Sequence, residues 1–152
     1  VKDEAVFDRD ARNAIAASIR DRGTIPEIAD VSTVLGCDRE SVEESFRRMI
    51  EGRVFIPKRG SAEILAYNPF CSEATEFTVR AGRWRWPAIC AWDALGVPAA
   101  LGIPGAIEAS CADCGSPLRV AVGLGGAVAA AEKIVMQVGV PARQFWEDIY
   151  RT

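Results

Sequence analysis

Trp84-Arg85-Trp86-Pro87-Ala88-Ile89-Cys90-Ala91-Trp92-Asp93-Ala94-Leu95-Gly96 is the stretch on which the fold turns. Its first residues alternate as a strand does, and its later residues suit a helix. Pro87 fits a first helical turn, where its missing N–H costs nothing, and Gly96 fits a helix end. A helix over 88–95 puts Cys90 and Asp93 on one face. Apolar neighbours would keep that face dry, raising a carboxyl pKa and letting a thiol and a carboxylate share a proton. The same spacing also suits a buried core cysteine beside a surface aspartate.

Upstream, Glu76 to Arg80 alternates, and Ala81-Gly82 can turn the chain into Trp84. This predicts a hairpin that delivers the chain into the Cys90 helix. Asn68-Pro69-Phe70-Cys71 reads as a linker that packs. Further back, Phe7, Ala11, Ala14, Ile15 and Ile19 recur at helical spacing, after a frayed leader over 1–6. Thr24-x-x-Glu27 suits a capping box, with Pro26 just inside a second helix. Asp38 can cap a third, carrying Val42, Phe46, Met49 and Ile50 and ending at Gly52. Val54 to Ile56 and Glu63 to Tyr67 then form a β-hairpin. Three helices and a hairpin make a winged-helix-like pattern over 1–67.

That pattern raises DNA binding. The third helix argues against it, because Asp38, Glu40, Glu43 and Glu44 would repel phosphates. Lys58 and Arg59 offer only a small basic tip.

Downstream, Val97 to Gly105 reads as a Pro/Gly-punctuated connection. Ala106 to Ser110 and Leu118 to Val122 are strands around a Cys111-x-x-Cys114 turn. Gly123 to Gly126 lacks the third glycine of a dinucleotide fingerprint. Lys133 to Val138 is expected as a strand and Pro141 to Tyr150 as a short helix. The whole is an α+β chain. A winged-helix-like three-helix part with a hairpin (1–67) precedes a small antiparallel-sheet α+β part (68–152).

Totals limit the chemistry. The chain has 152 residues, net charge −3 and no histidine, so His-based triads and imidazole bases are excluded. No run approaches the ~18 apolar residues of a membrane span, so no membrane partner is expected. The sequence shows no signal-peptide pattern, and its first residue, Val1, suggests a trimmed start. Five scattered cysteines do not form a disulfide framework, which points to a reducing cytoplasm with thiols free for soft metals. Cys111 and Cys114 have half the spacing of a zinc knuckle, with no second pair to complete it. Cys37 reads as structural, and Cys71 could face the central site.

Cys90 to Ala99, preceded by Asn68-Pro69-Phe70 and Phe77-Thr78-Val79, resembles the organomercurial (alkylmercury) lyase family. The likeness extends to Cys111, Gly115 and Pro117 and to Val140-Pro141-Ala142-Arg143-Gln144-Phe145-Trp146-Glu147-Asp148-Ile149. It covers the chain from about residue 7 onward. It implies protonolytic cleavage of a carbon–mercury bond to a hydrocarbon and Hg(II), with no metal or nucleotide cofactor. By the same match Cys90 would bind mercury and Asp93 would relay the proton. An organomercurial or Hg(II) is then the ligand.

The family pattern also implies a second essential thiol just past Ile149, where this sequence ends at Arg151-Thr152. The expectation is a truncated form or a homologue without normal turnover. Cys71, Cys111 or Cys114 are the candidate substitutes. The alternatives are a thiol-based metal-binding or sensor protein, and a winged-helix DNA-binding regulator. The oligomeric state is left open.

Overall fold

Apolar residues three and four apart give the first third of the chain its helices. The computed structural model describes residues 3–126, 128–130 and 133–150. Helix α1 (Glu4–Arg22) buries Ala11, Ile15 and Ile19. Asp3 caps it by accepting from the Ala5 N–H at 3.0 Å. Residues 3–6 are therefore cap and first turn, not a frayed leader; residues 1 and 2 lie outside the described residues.

Helix α2 (Ile28–Leu35) starts later than the expected capping box. Glu27 is extended (φ −80°, ψ 166°), so helix cannot begin before Ile28. The box is closed one step along, where the Glu27 N–H donates to Asp30 Oδ2 at 3.0 Å. Helix α3 (Arg39–Glu51) matches expectation: Asp38 Oδ1 accepts from the Ser41 N–H at 2.8 Å. Val42, Phe46 and Met49 are buried against the other two helices.

Strands β1 (Ile56–Pro57) and β2 (Ile64–Tyr67) form the expected hairpin. From its outer turn, Glu63 Oε2 accepts the Ile28 N–H at 3.0 Å and so satisfies one orphan donor of α2. Residues 68–71 are not a linker. A cis Asn68–Pro69 peptide turns the chain back, and β3 (Phe70–Cys71) pairs with β2 through Ala66↔Cys71.

The second sheet has the order β5-β4-β6-β7-β8 and is antiparallel. Its strands are β4 (Phe77–Ala81), β5 (Trp84–Ala88), β6 (Gly105–Ser110), β7 (Pro117–Val122) and β8 (Val128–Ala130). Pro87 lies in β5, not in a helix. This is tolerated because β5 is an edge strand, where a missing N–H need break no ladder. Helix α4 (Ala91–Leu101) follows and lays Ala94 and Val97 on the sheet. It therefore begins three residues later and ends six residues later than the expected 88–95. Gly96 is interior, and the left-handed Gly102 (φ 66°) ends it. Pro98 sits inside, which leaves the Ala94 carbonyl without its helical N–H.

Two expectations near the C-terminus are overturned. Residues 133–138 hold no strand; the strand outside β7 is β8. Met136 and Val138 instead line a cavity described below. Residues 141–150 form a 3-10 turn (Ala142–Gln144) and further turns, not a helix.

One buried cluster joins Ile15 and Phe46 of the helices to Val79, Trp86 and Val97 of the second half. Phe70 and Trp86 meet with ring centroids 4.7 Å apart. Gly23 rests on the Trp84 ring, where a Cβ would stand 2.3 Å from the indole. Buried side chains of this size contribute roughly 2–3 kcal/mol each. No helix among the described residues is long and apolar enough to cross a membrane.

Candidate active site

The site forms where β5 hands the chain to α4. Thr75 fixes this end of the sheet: its hydroxyl donates to the Ala88 carbonyl at 2.6 Å and accepts from the Phe77 N–H at 3.2 Å. Two residues on, Cys90 is the N-cap of α4, with extended φ −151° and ψ 174°. Asp93 is the third helical residue. The pair therefore meets by capping geometry and not, as expected, as two residues on one helical face.

The Cys90 thiol donates to Asp93 Oδ2 at 3.4 Å. In return the Asp93 N–H donates to Cys90 Sγ at 3.5 Å. The N-cap is thus a thiol in place of the usual hydroxyl, and the Asp93 carboxylate returns to that thiol rather than to the Cys90 backbone N–H of a capping box. Asp93 is 7% exposed. Burial pushes its carboxyl above the usual carboxylate range, against the lowering effect of the thiol hydrogen bond. Burial also raises the Cys90 thiol, and the Asp93 charge adds to that rise; the Asp93 N–H acts the other way. Cys90 is consequently a thiol at neutral pH. Raised pKa values on both partners favour a retained proton between them.

Above the pair lies a cavity of 700 Å³, within the size range of small-molecule sites. Cys90, Asp93, Trp92 and Gly96 of the α4 start line one side. The cis Asn68–Pro69 turn lines another, close to the helix: a Cβ on Gly96 would stand 3.1 Å from Pro69 Cβ. Ile56 comes from β1, and Met136, Val138, Phe145 and Ile149 close over the rest. The C-terminal segment is tied down by Tyr150, whose hydroxyl donates to the Pro57 carbonyl at 2.8 Å. Arg59 and Arg53 stack over the rings of Tyr150 and Trp146 at 4.2 and 5.4 Å. The walls are apolar, and a thiol and a carboxyl stand together at the base.

The other cysteines take different places. Cys71 is buried in β3 and does not line the cavity. Burial raises its thiol. Cys111 and Cys114 are in the β6–β7 turn, away from the cavity lining. No group of three or more His, Cys, Asp or Glu able to hold a metal ion occurs among the described residues.

Sequence reasoning missed Ile56, Pro69, Gly96, Met136 and Val138 as cavity residues. Pro69 and Gly96 carried a usable signal, since both are small or rigid residues at a close approach. The others are ordinary apolar residues with no local mark.

The thiol, the carboxyl and the apolar chamber agree with the sequence likeness. The profile of the alkylmercury lyase (MerB) family matches residues 70–152. The chain belongs to the alkylmercury lyase family. The match begins at β3, just after the Asn68–Pro69 turn, and runs through the second sheet and α4. Among solved structures, the mercury-bound form of MerB2 superposes with a TM-score of 0.59 at 20% identity. That alignment covers 85% of this chain and 59% of the other, so the chain spans under two thirds of that protein's length. Coverage that wide reaches back before residue 70, and the likeness shows a shared fold. A comparison with curated proteins gives no match.

Proposed function

We propose that the protein is an organomercurial lyase-like enzyme that cleaves a carbon–mercury bond by protonation. The observation that carries this is the 3.4 Å approach of the Cys90 thiol to the buried Asp93 carboxylate at the base of an apolar cavity.

Thiolate is the ligand that a soft cation prefers. An organomercury cation entering the cavity would lodge its hydrocarbon among Ile56, Phe145 and Ile149. Mercury would then replace the Cys90 proton, forming the sulfur–mercury bond. Asp93 is the acceptor in hydrogen-bond reach, and its burial lets it keep that proton. In the second step Asp93 gives the proton to the mercury-bound carbon. The carbon–mercury electron pair forms the new C–H bond, and the metal stays on sulfur as Hg(II). The proton is used once, so no outside acid is needed within one cycle. The N-terminus of α4 favours the thiolate and carboxylate forms that arise in turn.

A role in mercury detoxification follows from that chemistry. We also read residues 1–67 as a winged-helix-like support for the reactive part, 68–152. Three helices and the β1–β2 hairpin favour this reading. The exposed Glu40 and Glu44 on α3 speak against a nucleic-acid role. A reducing intracellular setting suits five cysteines that form no disulfide among the described residues.

A second reading is capture without cleavage, as in a metal-binding or sensing protein. It is favoured by Cys90 being, among the described residues, the one cysteine that lines the cavity, since a second thiol would help release the metal from carbon. Incubation of the reduced protein with phenylmercury separates the two. Benzene in amounts above one per chain supports the lyase. Tight phenylmercury retention with no benzene supports capture, and neither outcome overturns both.

A further inference from the structure

The β6–β7 turn carries two thiols that the cavity does not use. Cys111 and Cys114 flank a turn closed by Cys111 N–H to Ser116 O and Gly115 N–H to Cys111 O, both at 2.8 Å. The Gly115 N–H bond back to the Cys111 carbonyl folds the chain so that Cys114 returns toward Cys111. Cys114 Sγ also donates to Ser116 Oγ at 3.2 Å. Cys114 is exposed and Cys111 half-buried, so a solute can approach both. Gly115 at φ +71° lets the chain reverse here, and nothing lies within 4 Å of where its Cβ would stand.

Register gives the turn its position. Phe77 faces Ala88 on one side of β4, and Thr78 faces Glu108 on the other. Strands β5 and β6 thus end at the same edge of the sheet, on either side of β4. Two strand spacings amount to roughly 10 Å. The paired thiols are therefore on the edge of the sheet from which the Cys90 turn departs.

We propose that Cys111 and Cys114 form a second, chelating site for a thiophilic cation that takes two sulfur ligands, such as Hg(II). Two ligands suffice for linear thiolate coordination of such an ion. Zinc needs four, and no third ligand stands near enough among the described residues. Binding is ligand exchange with no redox change: two S–H bonds break, two S–Hg bonds form, and two protons leave to solvent. An organomercury cation already spends one coordination position on carbon, so this site chelates the inorganic ion and not the organic one.

The test is independent of carbon–mercury cleavage. Reduced Cys90→Ser protein is mixed with Hg(II) chloride and excess monothiol, then desalted. Bound mercury and sulfur-to-mercury absorption are read. The expected result is one Hg(II) retained per chain. Cys111→Ser and Cys114→Ser, each added singly, should weaken retention on the order of 100-fold, because either change leaves only a monodentate thiol. Retention that survives both single changes, or no retention in Cys90→Ser itself, overturns the site. Neither result bears on whether phenylmercury yields benzene.

Discussion

Cys90 Sγ and Asp93 exchange two hydrogen bonds across the first turn of α4, thiol to carboxylate at 3.4 Å and backbone N–H to sulfur at 3.5 Å. The same atoms thus start the helix and make up the proposed reactive pair. Structure and chemistry at this turn are separable by substitution.

Cys90→Ser should keep the cap, since a hydroxyl accepts from the Asp93 N–H better than a thiol. Its melting temperature should match or slightly exceed the parent's. Cys90→Ala should lose about 1 kcal/mol, the ordinary cost of an N-cap deletion. Both should lose phenylmercury retention and benzene release. Thermal melts beside a phenylmercury assay check this; retained activity in Cys90→Ser contradicts it.

Asp93→Asn should make the protein more stable at neutral pH. Burial raises the folded-state pKa of Asp93 above its unfolded value. The folded state then holds the extra proton, so the stability from Asp93 is full below the unfolded pKa and is lost as pH rises through the folded one. Removing the charge should gain on the order of 1 kcal/mol at pH 7. The gain should vanish near pH 4, the ordinary carboxyl range. Urea melts of the two proteins across pH measure it.

Asp8 should show the opposite sign. Its carboxylate accepts from Arg48 Nη2 and Nε at 2.6 and 3.0 Å and from Ser45 Oγ at 2.6 Å. The Arg48 hydrogen bond, more than any other contact, holds its pKa below the usual range. That stability is present above the unfolded pKa and lost as pH falls through the folded one. Asp8→Asn should cost about 1–2 kcal/mol at pH 7 and little in acid. Equilibrium unfolding at both ends of that range decides it.

Tyr150→Phe should loosen the cover over the cavity without unfolding the chain. It deletes the 2.8 Å bond to the Pro57 carbonyl, worth about 1 kcal/mol. Alkylation of Cys90, followed by mass spectrometry, should run roughly fivefold faster, the rate equivalent of that energy. An unchanged rate means the segment is held by its ring stacking and apolar contacts and not by this hydroxyl.

Local chemistry was legible in the sequence, and long-range chemistry was not. The periodicity of Ala11, Ile15 and Ile19 and the Asp38 cap located α1 and α3, because a helix is decided within one or two turns. The Cys90–Asp93 pairing was legible as a spacing, although its cause is a cap. Proline and glycine misled at α4. Pro87 is allowed in β5 only because that strand is an edge, and Pro98 is carried inside a helix held by the sheet. Neither condition is written in neighbouring residues. Met136 and Val138 have the alternation of a strand but spend it on the cavity, which depends on residues nearly fifty positions away. The cis turn at Asn68–Pro69 likewise becomes a wall only once α4 is placed beside it.

The central claim is that Asp93 passes the proton taken from Cys90 to the departing carbon. Phenylmercury cleavage followed in D₂O, with benzene analysed by mass spectrometry, tests it directly. The account predicts benzene carrying a single deuterium from the parent protein, and at least a hundredfold slower release from Asp93→Asn, on the order of the upper part of general-acid contributions. Equal release from parent and Asp93→Asn would contradict it.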